Sequence, residues 1–289
     1  MPDKRKPTDD ESVEAKLAER SIRYLTVAVE AVRTGMAVVA EWVHAGRNLR
    51  TERVGDVPGD EFVTAVDGAS EAAIRRLLHA ATPSIPVVGE IRAESDLDAP
   101  WVWVVDPVDG TTNLVKGDPF VSVTVALLAS GDPVVGATGC PFTEELWSAQ
   151  AGGGAEDAHG RRLEIGQAAS CNTIALDPKT PSAAYAPVWE DAAQRLRSVF
   201  ADVRPLGSIA LEMARVASGD YDGFVSLGQP GGSSVLDYAA GTLLIREAGG
   251  DVLGLDGRRN AWTSEVVLAG NPKTLRLLRT SMDGFRVAD

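Results

Sequence analysis

Nothing in the 289-residue chain restricts its fold as tightly as Trp101-Val-Trp-Val-Val-Asp-Pro-Val-Asp-Gly-Thr-Thr-Asn113, where an apolar run ends in a cluster of oxygen-bearing side chains. Residues 101–105 are aromatic or β-branched throughout, which suits a strand buried on both faces. Pro107 fixes its own φ and biases Asp106 toward extended backbone, so the strand can reach Asp106 but no helix can begin there. Asp106 and Asp109 are therefore delivered at the carboxyl end of a strand. Gly110 can turn the chain sharply, and Thr111, Thr112 and Asn113 are residue types that open helices.

Such a stretch puts anions and amide donors side by side. Asp106, Asp109 and the Val108 carbonyl suit a hard divalent cation such as Mg²⁺, which takes oxygen ligands. The N–H groups of Gly110, Thr111 and Thr112, at the start of a helix, suit a phosphate. A cation beside a phosphate points to phosphoryl chemistry. A bare D-x-x-D followed by Gly and Thr also describes an ordinary capped turn, whereas the full string is much rarer.

The string Asp106-Pro-Val-Asp-Gly-Thr-Thr-Asn113 resembles the signature of the inositol monophosphatase family, Mg²⁺-dependent and usually lithium-sensitive phosphatases. Further stretches extend the resemblance in the family's order from about Phe62 to Gly250. It implies an α/β (α+β) layered sandwich of the fructose-1,6-bisphosphatase/inositol monophosphatase-like fold. Residues 1–160 would form an N-terminal α+β part with most metal ligands, and 161–289 a C-terminal α/β part with the last ligand and the substrate side.

Phe62-Val-Thr-Ala-Val-Asp67 is similar to the family's VT-x-x-D stretch, which would make Asp67 a metal ligand, although Thr64 and Asp67 also read as a helix-entry pair. Pro86-Val-Val-Gly-Glu90 is a short strand ending in the acid that, in the family, ligates metal and orients the attacking water with the first Thr of the signature, here Thr111. Many relatives carry a second acid where this chain has Ile91. Gly207-Ser208 resembles the G-S-x-A segment at the substrate end of the cleft. Val235-Leu-Asp237-Tyr-Ala-Ala-Gly241 resembles the closing W-D-x-A-A-G motif with Leu236 in place of Trp, and makes Asp237 the last ligand.

The resemblance thus implies a metal set of Asp67, Glu90, Asp106, Val108, Asp109 and Asp237 holding two or three Mg²⁺ ions. Glu90, Thr111 and Asp109 are the catalytic residues it implies, and Gly110, Thr111, Thr112, Gly207, Ser208 and Ser226 face phosphate or substrate. Ser226 stands where the family places an acid that grips inositol hydroxyls. The family's loop lysine has only rough counterparts in Arg50 or Arg53. Relatives are commonly dimers, so a homodimer is one assembly the resemblance allows.

Composition excludes other classes. A formal net charge of −13 with no basic stripe argues against a nucleic-acid polymer as partner. No apolar run approaches the ~20 residues of a membrane span, and the charged N-terminus lacks a signal peptide's apolar stretch, so a cytoplasmic enzyme is expected. Cys140 and Cys171 form no C-x-x-C or Cys/His cluster and read as incidental thiols.

Helical periodicity spans 13–42, 69–81, 187–200, the stretch after Ser208, 239–248 and 272–282, with strands between. Residues 45–61 read as a loop, Gly152-Gly-Gly154 as a hairpin turn, and Gln229-Pro-Gly-Gly-Ser-Ser234 as an insertion. The expected activity is Mg²⁺-dependent hydrolysis of a small sugar, inositol or nucleotide phosphate. Alternatives on the same fold are 3'(2'),5'-bisphosphate nucleotidase, fructose-1,6-bisphosphatase and histidinol-phosphatase activities. A catalytically silent regulatory binder is the rival from another class. A Ca²⁺-binding protein is disfavoured because no EF-hand loop occurs.

Overall fold

The computed structural model of the chain describes residues 9–46, 51–53, 62–91, 97–166, 172–177, 186–227, 235–259 and 263–285. Its first elements are α1 (Asp9–His44), β1 (Thr51–Arg53), β2 (Phe62–Thr64), α2 (Ala65–Ala81), β3 (Val87–Gly89), β4 (Trp101–Asp109) and α3 (Thr111–Lys116). Next come β5 (Ser122–Ala129), β6 (Asp132–Gly139), β7 (Leu146–Gln150) and β8 (Gly154–Asp157). Strands β3 to β8 form a six-stranded sheet in chain order. All its neighbours are antiparallel except β3 and β4.

The rest of the chain supplies β9 (Thr173–Asp177), α4 (Ala186–Arg197), β10 (Asp202–Arg204), α5 (Ile209–Ala217), β11 (Gly223–Leu227), α6 (Val235–Glu247), β12 (Asp251–Gly254), β13 (Val266–Gly270) and α7 (Pro272–Ser281). A five-stranded sheet runs in the order β10-β9-β11-β13-β12, with β10, β9 and β11 parallel. Returning from α4 to β10 on one side of β9 and from α5 to β11 on the other creates a topological switch point, where crevices open at strand carboxyl ends.

Burial explains the layering. Helices α1 and α2 press Val32, Ile74 and Leu78 onto Trp103, Val105 and Val125 of the first sheet. Helix α6 lays Ala239 and Ala240 on Val104 and Ala126 on its opposite face. Helices α5 and α6 also bury Met213, Leu244 and Ile245 with Phe224 and Val267 of the second sheet. Leu196 of α4 and Leu278 of α7 close the far side against Leu176 and Leu268. The result is a five-layer α/β sandwich, each fully buried large side chain contributing about 2–3 kcal/mol of transfer free energy.

The middle layer works only because its contact residues are small. A Cβ on Gly136 would lie 2.8 Å from Ala240 Cα, and one on Gly241 would lie 2.6 Å from Met213 Cβ. Helix α6, which begins two residues before Asp237, is thereby seated directly on the first sheet.

Most expected elements are present, with differences at their ends. The stretch read as a loop over 45–61 contains β1, which pairs antiparallel with β2. Strands of three residues are too short to raise a periodic signal. Helix α2 starts at Ala65 rather than 69, because Thr64 caps it. Gly152 and Gly154 lie in the β7–β8 turn as expected, their N–H groups donating to Glu247 at 2.8 Å each. The 229–234 insertion, Arg50 and Cys171 lie outside the described residues, whereas Cys140 is a buried free thiol. Among the described residues, no helix is long and apolar enough to cross a membrane.

Candidate active site

Strand β4 carries its acids past Pro107 to Asp109, buried along almost its whole length. Gly110 then takes φ +94°, and α3 follows. The glycine is required here twice over. Its conformation is left-handed, and a Cβ would meet the carbonyl oxygens of Gly207 and Phe120 at 3.1 Å each.

Asp106 is buried and accepts a hydrogen bond from the Val108 N–H at 3.0 Å. Burial, then the negative charges of Glu90, Asp237 and Asp109, push its carboxyl well above the usual range. Glu90 reaches this neighbourhood by register. Gly89 pairs with Val105 in the parallel β3–β4 ladder, so the next residues on the two strands are Glu90 and Asp106. Asp237 arrives from the first turn of α6. Glu90 and Asp237 are both half-buried.

Asp109 lives differently. Ser208 Oγ donates to it at 2.6 Å, Ser122 Oγ at 3.0 Å, the Ala210 N–H at 2.8 Å and the Ile209 N–H at 3.2 Å. It thus caps the start of α5 from another element, while Ser208, the N-cap by position, makes no side-chain cap of its own. Burial and Asp237 still raise its pKa to about 7 against those hydrogen bonds.

Asp67 stands as the helix-entry residue that one reading of its sequence context allowed. It completes a capping box with Thr64, accepting the Thr64 N–H at 2.9 Å, and its other oxygen accepts from Thr111 Oγ1 at 3.0 Å. Burial raises its pKa. Thr111 Oγ1 also lies 2.9 Å from the Val108 carbonyl. A hydroxyl has one proton, so Thr111 is committed as a donor and its lone pairs are left to accept.

The remaining residues singled out from the sequence are placed as follows. Thr112 is exposed on α3. Gly207 packs its carbonyl against Gly110, and Ser208 is fully buried with its hydroxyl on Asp109. Ser226 is fully buried too, accepting from Tyr238 OH at 2.7 Å and donating to Asp177 Oδ2 at 3.1 Å.

Sequence reading missed several supports. Asn113 Nδ2 donates to the Phe120 carbonyl at 2.8 Å and the Leu206 carbonyl at 2.7 Å, tying α3 to the loop before α5. Glu212 accepts the Leu206 and Gly207 N–H groups at 3.1 Å each, while its Oε2 has no hydrogen-bond partner. Burial, Asp177 and Asp109 push its carboxyl well up. Asp177 pairs in register with Ser226 at the carboxyl end of β9. On α2, the buried Glu71 and the half-buried Arg75 form an ion pair. An acid at the first turn of a predicted helix was the only available signal for Glu212, and nothing in the sequence marked Asp177 or Glu71.

Among the described residues, no three acidic, His or Cys side chains already stand at metal-ligand spacing. The donor set nonetheless fits a hard cation. The charged groups that raise the pKa of Asp106 beyond the effect of burial are all carboxylates, and their repulsion is what a divalent ion would relieve.

Residues 22–282 match the family described as the inositol monophosphatase family. Nus factor SuhB of Salmonella typhimurium strain LT2 is 34% identical over 262 residues, covering 89% of this chain and 95% of that protein. Inositol-1-monophosphatase of Rhizobium meliloti is 33% identical over 260 residues, 88% of this chain and 94% of that one. The crystal structure of extragenic suppressor protein suhB from Bartonella henselae superposes with a TM-score of 0.78 at 28% identity, covering 89% of this chain and 97% of its own.

Proposed function

The chain belongs to the inositol monophosphatase family and is a phosphomonoesterase, and from this premise we propose that it hydrolyses a small sugar, inositol or nucleotide phosphate with Mg²⁺ as cofactor. The observation that carries the reading is the gathering of Glu90, Asp109 and Asp237 round the buried Asp106, beside a threonine whose lone pairs are free to accept. Asp106, Asp109, Glu90, Asp237 and the Val108 carbonyl would hold the cation, with Asp67 contributing through a further position. When bound there, Mg²⁺ would neutralise charge on the ester and make a water more acidic.

The chain's own groups do the rest. Glu90 takes the proton of the attacking water while Thr111 Oγ1 accepts from that water and orients it. The Gly110 and Thr111 amides face the phosphoryl oxygens as charge gathers there. The water oxygen bonds to phosphorus as the phosphorus–ester oxygen bond breaks, the departing oxygen leaves as the alcohol by taking a proton from a solvent water, Glu90 returns its proton to solvent, and no phosphoenzyme is formed.

On the alcohol side we assign the acceptor role to Asp177 rather than Ser226. The donor chain from Tyr238 through Ser226 ends on Asp177, at the mouth of the switch point between β9 and β11. A phosphate-release screen over inositol, sugar and nucleotide phosphates, with and without Mg²⁺, tests the activity. Turnover that persists undiminished in a folded Asp109→Asn variant rules it out. In Asp177→Asn, the preference for polyol phosphates over p-nitrophenyl phosphate should fall by roughly 10-fold, about one charged hydrogen bond.

The name Nus factor SuhB carried by relatives at 34% identity favours a second reading, a factor that acts by binding a partner rather than by turnover. Pull-down with the Asp109→Asn variant separates the two, since a binder retains its partner without turnover.

A further inference from the structure

Strand β3 is a weak place to mount a catalytic acid. It has three residues, lies at the edge of the six-stranded sheet and, among the described residues, pairs with a strand on one side only. A ladder that short leaves the strand end free to fray, and Glu90 follows it immediately.

Helix α2 occupies the other side. Asp67, Glu71 and Arg75 recur at four-residue spacing, so they share one stripe of the helix. Glu71 is 2% exposed and both its oxygens are used. Oε2 accepts the Ile91 N–H at 2.8 Å, and Oε1 accepts Arg75 Nε at 2.7 Å. Arg75 Nη1 in turn donates to the Val87 carbonyl at 2.7 Å. The pair therefore grips the backbone three residues before Glu90 and one residue after it. Between these points Gly89 lies so close that a Cβ there would be 2.6 Å from the Glu71 carboxylate carbon.

The same helix fixes the other end of the site. Ser70 Oγ donates to the Pro107 carbonyl at 3.1 Å, and Asp67 holds Thr111. One rigid element thus spans Glu90 and Thr111, the two groups between which the attacking water is held.

We propose that Glu71, with Arg75, is a positioning residue that sets Glu90 against Asp106 and Thr111, doing from the helix what a missing neighbour strand would do. The proposal rests on the role given above to Glu90. Both Glu71 oxygens are spent on protein groups, so its role is to position rather than to ligate.

The test compares Glu71→Ala, Glu71→Gln and Arg75→Lys with the wild type. Mg²⁺ affinity is measured by calorimetry in the absence of substrate, kcat and KM are measured separately, and melting is followed without Mg²⁺. Glu71→Ala should weaken Mg²⁺ binding and lower kcat by roughly 10–100-fold, the usual cost of removing a group that orients a ligand, with KM little changed. Glu71→Gln should recover most of both, because its amide oxygen still accepts the Ile91 N–H. Arg75→Lys cannot fork between Glu71 and Val87, and should show a smaller loss in the same direction; it carries the test if Glu71→Ala does not fold. A folded Glu71→Ala with wild-type Mg²⁺ affinity and kcat, or an Arg75→Lys equal to wild type when the alanine variant cannot be made, overturns the clamp. A wild-type protein that neither binds Mg²⁺ nor releases phosphate overturns the phosphatase reading instead.

Discussion

Asp106 and Asp109 are three residues apart on one strand, yet they live in opposite surroundings. Asp106 has one backbone donor and is ringed by Glu90, Asp237 and Asp109. Asp109 is held by two hydroxyls and two amides from β5, the α5 N-cap and the start of α5. At one end the charges that act on the carboxyl are negative, and at the other the carboxyl is already satisfied by the protein. The contrast teaches that the motif separates two environments, a cluster of mutually repelling acids at Asp106 and, at Asp109, a junction between β4 and the start of α5.

The comparison is broken most severely by Asp106→Asn. Turnover should fall roughly 10³-fold, as when a principal electrostatic group is removed from an active site. Yet the metal-free variant should melt higher than wild type, because a repelled charge has gone. A lower melting temperature would show that Asp106 is a structural acceptor like its neighbour.

Asp109→Ala should do the reverse in the metal-free protein. It leaves buried hydroxyl and amide donors without an acceptor, and unfolding free energy should drop by about 2–4 kcal/mol, read from denaturant midpoints at constant slope.

Titration sharpens the same point. With a folded pKa of about 7 and an unfolded one near the ordinary value of 3.8, Asp109 holds a proton in the native state that the unfolded chain has released between those values. Its contribution to the metal-free protein's stability is therefore full below the unfolded value, falls as pH rises through the window, and is gone above about 7. Melting temperatures of metal-free protein across this range should decline, and Mg²⁺ should flatten the decline. A rise with pH would contradict the assignment. The smallest effect belongs to Ser208→Ala, which removes one of the bonds to Asp109 and should cost about 1 kcal/mol.

Much of this was legible in the chain because motif residues act through their backbone neighbours. The apolar run before Asp106 is a strand, Gly110 turns, and Asp237 lies in the first turn of a helix that meets the sheet through small residues. What stayed hidden depends on distant partners. Glu71 looked like any acid in a helix, since only the fold brings it to Ile91. Ser226 was legible as a departure from the family, but its pairing with Asp177 comes from the register of parallel strands that are far apart in sequence. The β1–β2 pair escaped because three residues carry no period.

The bond from Asp109 to the start of α5 makes the pieces of this enzyme mutually dependent. Cut between residues 166 and 172 and expressed as two fragments, the chain would leave one fragment with a strand-end acid short of three of its donors and the other with an uncapped helix. Phosphate release on mixing would then serve as a direct gauge of their reunion.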